Sequence, residues 1–374
     1  MIQTKPIARR RRWPAVLIVL LVVLAGAWGG AWYYGSRVLE RTIEGWKARE
    51  AKAGRAYTCA TQTIGGFPFG IELRCADAGA DLTSTKPPLA LKARGMLVSA
   101  HVWQPTQFTT EIVGPLTIAE PGDAVTISAN WRHAQTKVHG LPTSPESVSI
   151  QVEQIVVDRA AGEKLFKADR ADLNGRLLSG TVQDNPVIEM VLKLVAASAP
   201  SWHPAAATPV NADVTAVLRG LKNFAPKPWP ERFRELQAAG GRIEIRSARV
   251  QQNDTIAVAN GVLSLSAAGR LDGQLRLTVA NLEKFLPTLG LEQMLSQEQA
   301  SPQLNNAFGA LDRIMPGLGN MARKNAGPAI VAGVNLMGQP TELEGKRAVM
   351  LPLRFDDGMA FLGPLKLGAT PSLF

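Results

Sequence analysis

The chain opens with one long apolar block and continues as short alternating segments. Residues 13–34 contain no charged side chain, and four arginines at residues 9–12 directly precede them. A helix that rises 1.5 Å per residue needs about 20 residues to cross a bilayer. Aromatic residues, which favour the headgroup level, stand at both ends of the block: Trp13, Trp28, Trp32, Tyr33 and Tyr34. The pattern predicts a transmembrane anchor over residues 13–34, behind a cytoplasmic basic tail at residues 1–12.

A cleavable signal peptide is the alternative reading of the same block. Residues 15–24 would form its apolar core, and Ala25, Gly26 and Ala27 its small-residue cleavage site. Both readings export the rest of the chain. The uncleaved anchor is favoured because the apolar residues continue past Ala27 and because residues 35–54 continue as an amphipathic juxtamembrane helix.

From residue 55 onward, apolar and polar residues alternate between Gly, Pro, Asn and Asp turn signals, which predicts antiparallel strands. The fold class is therefore α+β, mainly antiparallel β. We expect an N-terminal transmembrane helix and stalk, then a large curved or groove-like β-sheet domain at 55–374 with a few packing helices. The proline-rich stretch 199–230 is the one candidate subdomain boundary.

Three segments of this domain show helical spacing. Residues 185–197 repeat apolar positions at threes and fours, and 231–239 precede a Gly-Gly pair that stops a helix. The clearest stripe follows Ser301 and Pro302, which suit the start of a helix. Its members are Leu304, Phe308, Leu311, Met315, Leu318 and Met321. We expect this stripe to pack on the sheet or over the mouth of a groove, and a mobile lid or membrane-facing helix is the alternative.

The only two cysteines flank a breaker-rich loop at residues 65–68 between two strand-like segments. A hairpin centred on Phe67 sets Cys59 directly opposite Cys75, at the separation that a disulfide needs. Because an exported compartment is oxidising, a structural disulfide is preferred over a free buried pair or a metal or redox site.

At these residues the sequence resembles the bacterial family called domain of unknown function 2125. The resemblance is carried by the segments WYYGSRVLERTIEGWKARE, YTCATQTIGGFPFGIELRC, ESVSIQVEQIVVDRA and LPLRFDDGMAFLGPLKLG, and it extends over residues 15–374. It implies an exported protein anchored by a single span in the inner membrane of a gram-negative bacterium, with its C-terminal domain in the periplasm. It brings no activity and no catalytic residue.

Charge and composition exclude some partners. The net charge is +10, but much of the excess lies in the basic tail, and no arginine block or basic strip with interleaved aromatics follows. A nucleic-acid partner is therefore not expected. Hydrophobic residues make up 46% and charged residues 19%, which favours contact with lipid.

A search for chemistry finds no enzyme motif. Only His133 and His139, six residues apart, approach the spacing of metal ligands, while His101 and His203 lie far from them. Asp356 and Asp357 precede a glycine between two strands and are read as a hairpin turn. No GxSxG nucleophile elbow or phosphate loop occurs. We expect no catalytic residue, no metal and no cofactor, and hence a protein that is not an enzyme.

Two hypotheses of function follow. In the first, an anchored envelope protein holds a lipid or another hydrophobic ligand in a β-sheet groove, with membrane lipid as the partner of the anchor. In the second, the protein is a structural or interaction scaffold of the cell envelope. They differ in whether the apolar face of the sheet leaves room for a ligand or closes into a core. The sequence identifies no protein partner.

Overall fold

A computed structural model describes residues 13–281 and 338–374, except positions 86, 203, 226 and 364. The described residues form two α-helices, α1 (Trp13–Lys52) and α2 (Trp229–Ala238), and a short 3-10 helix at Pro204–Ala207. The anchor and the juxtamembrane helix that the sequence predicts are one continuous helix of 40 residues.

Strands make up most of the remainder. The first ten are β1 (Arg55–Thr58), β2 (Thr61–Gly65), β3 (Gly70–Leu82), β4 (Leu89–His101), β5 (Gln104–Ala119), β6 (Ile127–Asn130), β7 (His133–His139), β8 (Ser147–Arg159), β9 (Lys164–Thr181) and β10 (Asp184–Ala197). The others are β11 (Val210–Arg219), β12 (Arg242–Gln252), β13 (Thr255–Leu265), β14 (Leu271–Ala280), β15 (Gln339–Leu343), β16 (Lys346–Asp356), β17 (Met359–Leu362) and β18 (Leu365–Ala369).

All eighteen strands belong to one antiparallel sheet. From β8 to β14 each strand pairs with the next along the chain. Short turns join most of these pairs, while the 3-10 helix lies between β10 and β11 and α2 lies between β11 and β12. At three positions in the sheet, two short strands pair with successive parts of the same long strand. These are β1 and β2 beside β3, β6 and β7 between β5 and β8, and β15 and β17 beside β16.

The helix predicted at 185–197 is wrong. These residues belong to β10, which pairs with β9 on one side and with β11 on the other. Ile188 and Met190 lie on one face and Glu189 and Val191 on the other, which is the period of two of a strand. The helical spacing of the apolar residues in this segment is a coincidence. Pairing on both sides satisfies the backbone groups of this segment, and it outweighs a weak helical pattern.

Buried apolar side chains of the described sheet are concentrated in small separate clusters. One buried cluster joins Ile188, Leu221 and Leu236 under α2, and a second joins Ile256, Ala280 and Ala348. Most other apolar positions of the strands are only half-buried. The predicted fold class is confirmed. The boundary near 199–230 stays a prediction, and the stripe from Leu304 to Met321 lies outside the described residues.

Candidate functional site

The strand registers give the sheet one apolar face and one polar face. A row of directly paired positions crosses the sheet from β3 to β17 and contains only apolar residues and glycine. Its members are Ile71, Ala100, Phe108, Val138, Val148, Gly175, Met190, Ala216, Ile245, Gly261, Leu275, Leu353 and Leu362. Paired residues point to the same side of a sheet. We call the side that this row occupies the apolar face.

The neighbouring row points to the opposite side and is polar, apart from one valine. Its members are Glu72, Ser99, Thr109, Lys137, Ser149, Asn174, Val191, Thr215 and Ser247. Because successive residues of a strand alternate between faces, one register fixes both sides at once. The sheet is therefore amphipathic over most of its width.

A groove of about 740 Å³ runs between the apolar face and a roof made of α2 and the segment before it. Its floor comes from β8 to β12 and its roof from residues 221–236. The apolar side chains that line it are Val148, Ile150, Leu173, Leu177, Ile188, Met190, Leu218, Leu221, Phe224, Trp229, Phe233, Leu236 and Ile243. Trp229 remains 73% exposed, so the groove is open at this edge.

Leu236 fixes α2 on the sheet. It is buried against Ile188 and Leu221, while Met190 and Leu218 pack around them. The helix comes this close because two glycines lie beneath it. A Cβ on Gly241 would stand 2.4 Å from Leu236 Cδ1, and a Cβ on Gly220, whose φ is +93°, would stand 2.4 Å from the Gly241 backbone.

Glu235 ties α2 to the preceding segment. Its carboxylate accepts hydrogen bonds from the backbone N–H of Lys222, at 2.7 Å, and from the ammonium of Lys227, and it lies 3.6 Å from Arg232. Burial raises the pKa of Glu235, but these donors and charges outweigh it, and the pKa falls below its ordinary value. The roof of the groove is therefore held by the polar contacts of Glu235 as well as by the apolar packing of Leu236.

The polar face carries a network of ion pairs behind the groove. Glu189 of β10 accepts from Arg176 of β9 at 2.7 Å and from Arg246 of β12 at 2.8 Å. The hydrogen bond from Arg176 lowers the pKa of Glu189, burial opposes this shift, and the charge of Arg246 adds to it. A smaller cavity of about 410 Å³ lies here, lined by polar groups such as Lys137, His139 and Asn174.

The candidate chemistry residues are scattered. His133 and His139 both lie on β7, and His139 Nδ1 is 3.2 Å from Glu146, whereas His101 stacks near Trp103 with ring centroids 5.2 Å apart. Within residues 13–281 and 338–374, no three His, Cys, Asp or Glu side chains come together as metal ligands. His203 is not described. The Asp356-Asp357-Gly358 turn is confirmed, and Ser266 donates to Asp357 at 2.6 Å.

The two cysteines lie at disulfide distance, with their Cα atoms 5.4 Å apart. The predicted pairing of the hairpin is wrong by three positions. Cys75 lies opposite Gln62, while Cys59 falls in the break between β1 and β2. The loop that joins β2 to β3 is centred between Pro68 and Phe69, and Cys59 reaches Cys75 diagonally from the break in the edge strand.

The anchor aromatics divide into two groups. Trp13, Tyr33 and Tyr34 are exposed. The indole N–H groups of Trp28 and Trp32 instead donate to the backbone oxygens of Pro68 and Gly70, at 2.9 and 2.8 Å. Farther along, Trp46 stacks on Tyr57 and Lys47 donates to Gln62. The sequence does not reveal these contacts because a tryptophan near a membrane surface suits either environment.

One helix of the described chain is long and apolar enough to cross a membrane. Its apolar window has a mean hydropathy of 2.3 and is 0% buried by the rest of the protein. A signal sequence near the N-terminus would show the same properties. The structure therefore establishes an apolar N-terminal helix whose apolar window is not buried by the described residues.

Sequence comparison decides the family. A model of bacterial proteins described as uncharacterised and conserved, DUF2125, matches residues 32–371. The chain belongs to this family. The match includes the cysteine hairpin, the groove and the roof, so the resemblance expected from the sequence is confirmed. No curated protein and no solved structure matches the chain.

The groove is the site that sequence reasoning missed in this DUF2125 chain. The sequence places the apolar ligand surface near the stripe at 304–321, whereas the described groove lies under α2. Its floor could be anticipated from the alternation of β8 to β12. Its roof could not, because the helix at residues 231–239 shows no sign of which part of the sheet it covers.

Proposed function

We propose that this protein is a membrane-anchored envelope protein that holds a lipid acyl chain in the groove beneath α2. In this proposal α1 spans the bacterial inner membrane once and the sheet lies in the periplasm. The observation that carries the proposal is the unbroken apolar row from Ile71 to Leu362, of which Val148, Gly175 and Met190 line the groove.

The dimensions and chemistry of the groove support an apolar ligand. Ligand sites of folded proteins enclose about 300–1,000 Å³ and are mostly apolar with a few polar groups, and this groove fits that description. Two of its basic members, Lys227 and Arg232, lie in the roof beside Glu235, and their charge favours a headgroup phosphate.

The apolar row also accounts for how little the sheet buries. A scaffold that closes its core would cover the apolar face with its own side chains, but within the described residues Leu173 and Val250 of that face are 39% and 38% exposed. Uncovered apolar surface is costly in water, at roughly 25 cal/mol per Å². A bound acyl chain would remove that cost along the groove.

Native mass spectrometry of the full chain, released gently from detergent micelles after extraction from membranes, tests the proposal. The test variant is Gly175→Phe. Gly175 lies in mid-groove on β9, and the nearest atom to a Cβ there is the Val148 oxygen at 4.0 Å, so the strand accepts a side chain that fills the groove. The matched control is Asn174→Phe, which adds the same ring to the opposite face.

We expect the wild type and Asn174→Phe to retain one phospholipid and Gly175→Phe to lose it at least about tenfold. Lipid retained equally by all three chains would place it on the anchor and not in the groove. A wild-type chain without lipid would contradict the proposal and favour the scaffold function, for which partner capture is the next measurement.

A further inference from the structure

Two hairpin tips lie beside the membrane end of α1. The β2–β3 tip (residues 66–70) is held by the indole bonds of Trp28 and Trp32, and the Phe67 ring packs edge-on against Trp32 at 5.5 Å. The β4–β5 tip (residues 101–104) lies against the first, because Val102 N–H donates to Phe69 O at 3.0 Å. Together they form one surface, which we call the double tip.

The double tip exposes apolar side chains where a soluble hairpin would carry polar ones. Phe69 and Trp103 are each 63% exposed, Phe67 54% and Val102 43%, and the rings of Phe69 and Trp103 lie 6.0 Å apart. No Asp, Glu, Lys or Arg occurs in residues 59–71 or 97–110. A charge-free aromatic patch of this kind suits the bilayer interface, where aromatic rings are enriched and charges are costly.

The height of the double tip along α1 supports this location. At 1.5 Å per residue, the axial distance from Trp13 is about 22 Å to Trp28 and about 28 Å to Trp32. The hydrocarbon of a bilayer is about 30 Å thick. A helix that enters the hydrocarbon at Trp13 therefore presents Pro68 and Gly70 at the level where it leaves, and any tilt of the helix brings them deeper.

We propose that the double tip inserts into the membrane interface beside α1 and forms a second contact with the same leaflet. Phe67, Phe69, Val102 and Trp103 are the inserted side chains. The contact fixes the angle between the sheet and the bilayer, and it starts the apolar row at the lipid surface, because Ile71 and Ala100 immediately follow and precede the two tips. This inference depends on the anchoring in the proposed function but not on a ligand in the groove.

Depth-dependent quenching tests this insertion on the full chain in phosphatidylethanolamine–phosphatidylglycerol nanodiscs. A single introduced cysteine carries an environment-sensitive fluorophore, and a fraction of the lipids carries a nitroxide on the acyl chain close to the headgroup. The test position is Val102→Cys, with Trp103→Cys as a second variant if the first does not fold. The matched control is Trp202→Cys, which is 87% exposed and lies at the opposite ends of the strands. Val22→Cys reports the anchor itself, in nanodiscs whose nitroxide lies deep on the acyl chain, because Val22 is about 13.5 Å from Trp13 along the helix and so near the middle of the span.

We expect a blue-shifted emission at Val102 and quenching at least about threefold stronger than at Trp202. Quenching at Val22 together with equal, weak quenching at Val102 and Trp202 would overturn the insertion while the anchor stands. No quenching at Val22 would overturn both the anchor and the insertion. The lipid retained in the groove is read separately by mass spectrometry, so the failure of one proposal is distinguishable from the failure of the other.

Discussion

Two helices of the described residues contact the sheet, and they do so by different means. α2 has only ten residues, yet it buries Leu236 and joins the preceding segment through Glu235. α1 has 40 residues, but its apolar window is 0% buried by the described protein, and the contacts of α1 with the sheet are aromatic and polar, from Trp28, Trp32, Trp46 and Lys47. The comparison teaches that the apolarity of a helix does not by itself indicate where the helix packs.

The two arrangements have different physical consequences. Removing the Leu236 side chain from water stabilises the fold, so α2 is an integral part of the folded sheet domain. The apolar window of α1 is not buried by the described protein. It would be sheltered from water by a lipid bilayer, or it would be cleaved off as a signal sequence. In the proposed anchoring, the hydrogen bonds of Trp28 and Trp32 position the sheet relative to the bilayer and add little stability.

Truncation of one leucine on each helix tests this difference in packing most directly. Leu236→Ala should lower the free energy of unfolding by about 2–5 kcal/mol, because it leaves a cavity beneath α2. Leu20→Ala, at a position 53% exposed, should stay within about 0.5 kcal/mol. Denaturant unfolding of the full chain in micelles, followed by tryptophan fluorescence, measures both. Similar losses for the two variants would show that α1 contributes to the core after all.

The disulfide provides the next largest effect, on the side of the sheet where α1 lies. The cysteines are separated by 16 residues in sequence, and closing a loop of that size stabilises a fold by about 3 kcal/mol. The double variant Cys59→Ser and Cys75→Ser should lose about this amount in the same unfolding measurement. Leu236→Ala and the double variant should add, since their sites share no contact. A double variant as stable as the wild type would contradict this expectation.

Trp32→Phe isolates the positioning contact of α1. The variant keeps the ring but removes the donor to Gly70 O, so we expect a loss of about 1 kcal/mol. Hydrogen exchange of the amides in residues 66–72, measured on the full chain in nanodiscs, should become about fivefold faster. Tyr34→Phe, at a residue 72% exposed, is the control and should leave exchange unchanged. Unchanged exchange in Trp32→Phe would show that the hydrogen bond to Gly70 O does not hold residues 66–72 in place.

The sequence was sufficient for the fold class and for the cysteine pair, because both depend on local patterns. Alternation along each strand predicts an amphipathic sheet, and the spacing of Cys59 and Cys75 around one loop predicts their proximity. It was insufficient for the register, because the β2–β3 loop is centred between Pro68 and Phe69 and not on Phe67, which shifts the pairing by three positions.

The groove could not be predicted for a related reason. It exists only where Leu236 meets Ile188, two residues whose proximity depends on how the intervening strands pair. Trp28 and Trp32 show the same limit on α1. Their position in the sequence fits a headgroup belt, while their hydrogen bonds to Pro68 and Gly70 are visible only in the structure.

The smallest expected effect tests the polar face, which neither helix covers and where charged groups join the strands. The pKa of Glu189 is held below its ordinary value, which is about 4.3 for a glutamate, mainly by Arg176. A carboxyl with a lowered folded pKa stabilises the protein above its unfolded pKa, and this contribution disappears as the pH falls through the folded value. Glu189→Gln should therefore be slightly less stable than the wild type near pH 7, and the difference should shrink as the pH falls below the ordinary pKa and vanish once it is below the folded pKa. Urea midpoints measured from pH 7 downward provide the comparison, with Glu244→Gln as control because its pair with Arg219 is longer, at 3.8 Å. A difference between Glu189→Gln and the wild type that persists at acidic pH would show that Glu189 acts through packing, and the polar face would then resemble the α2 contact more than a surface of charges.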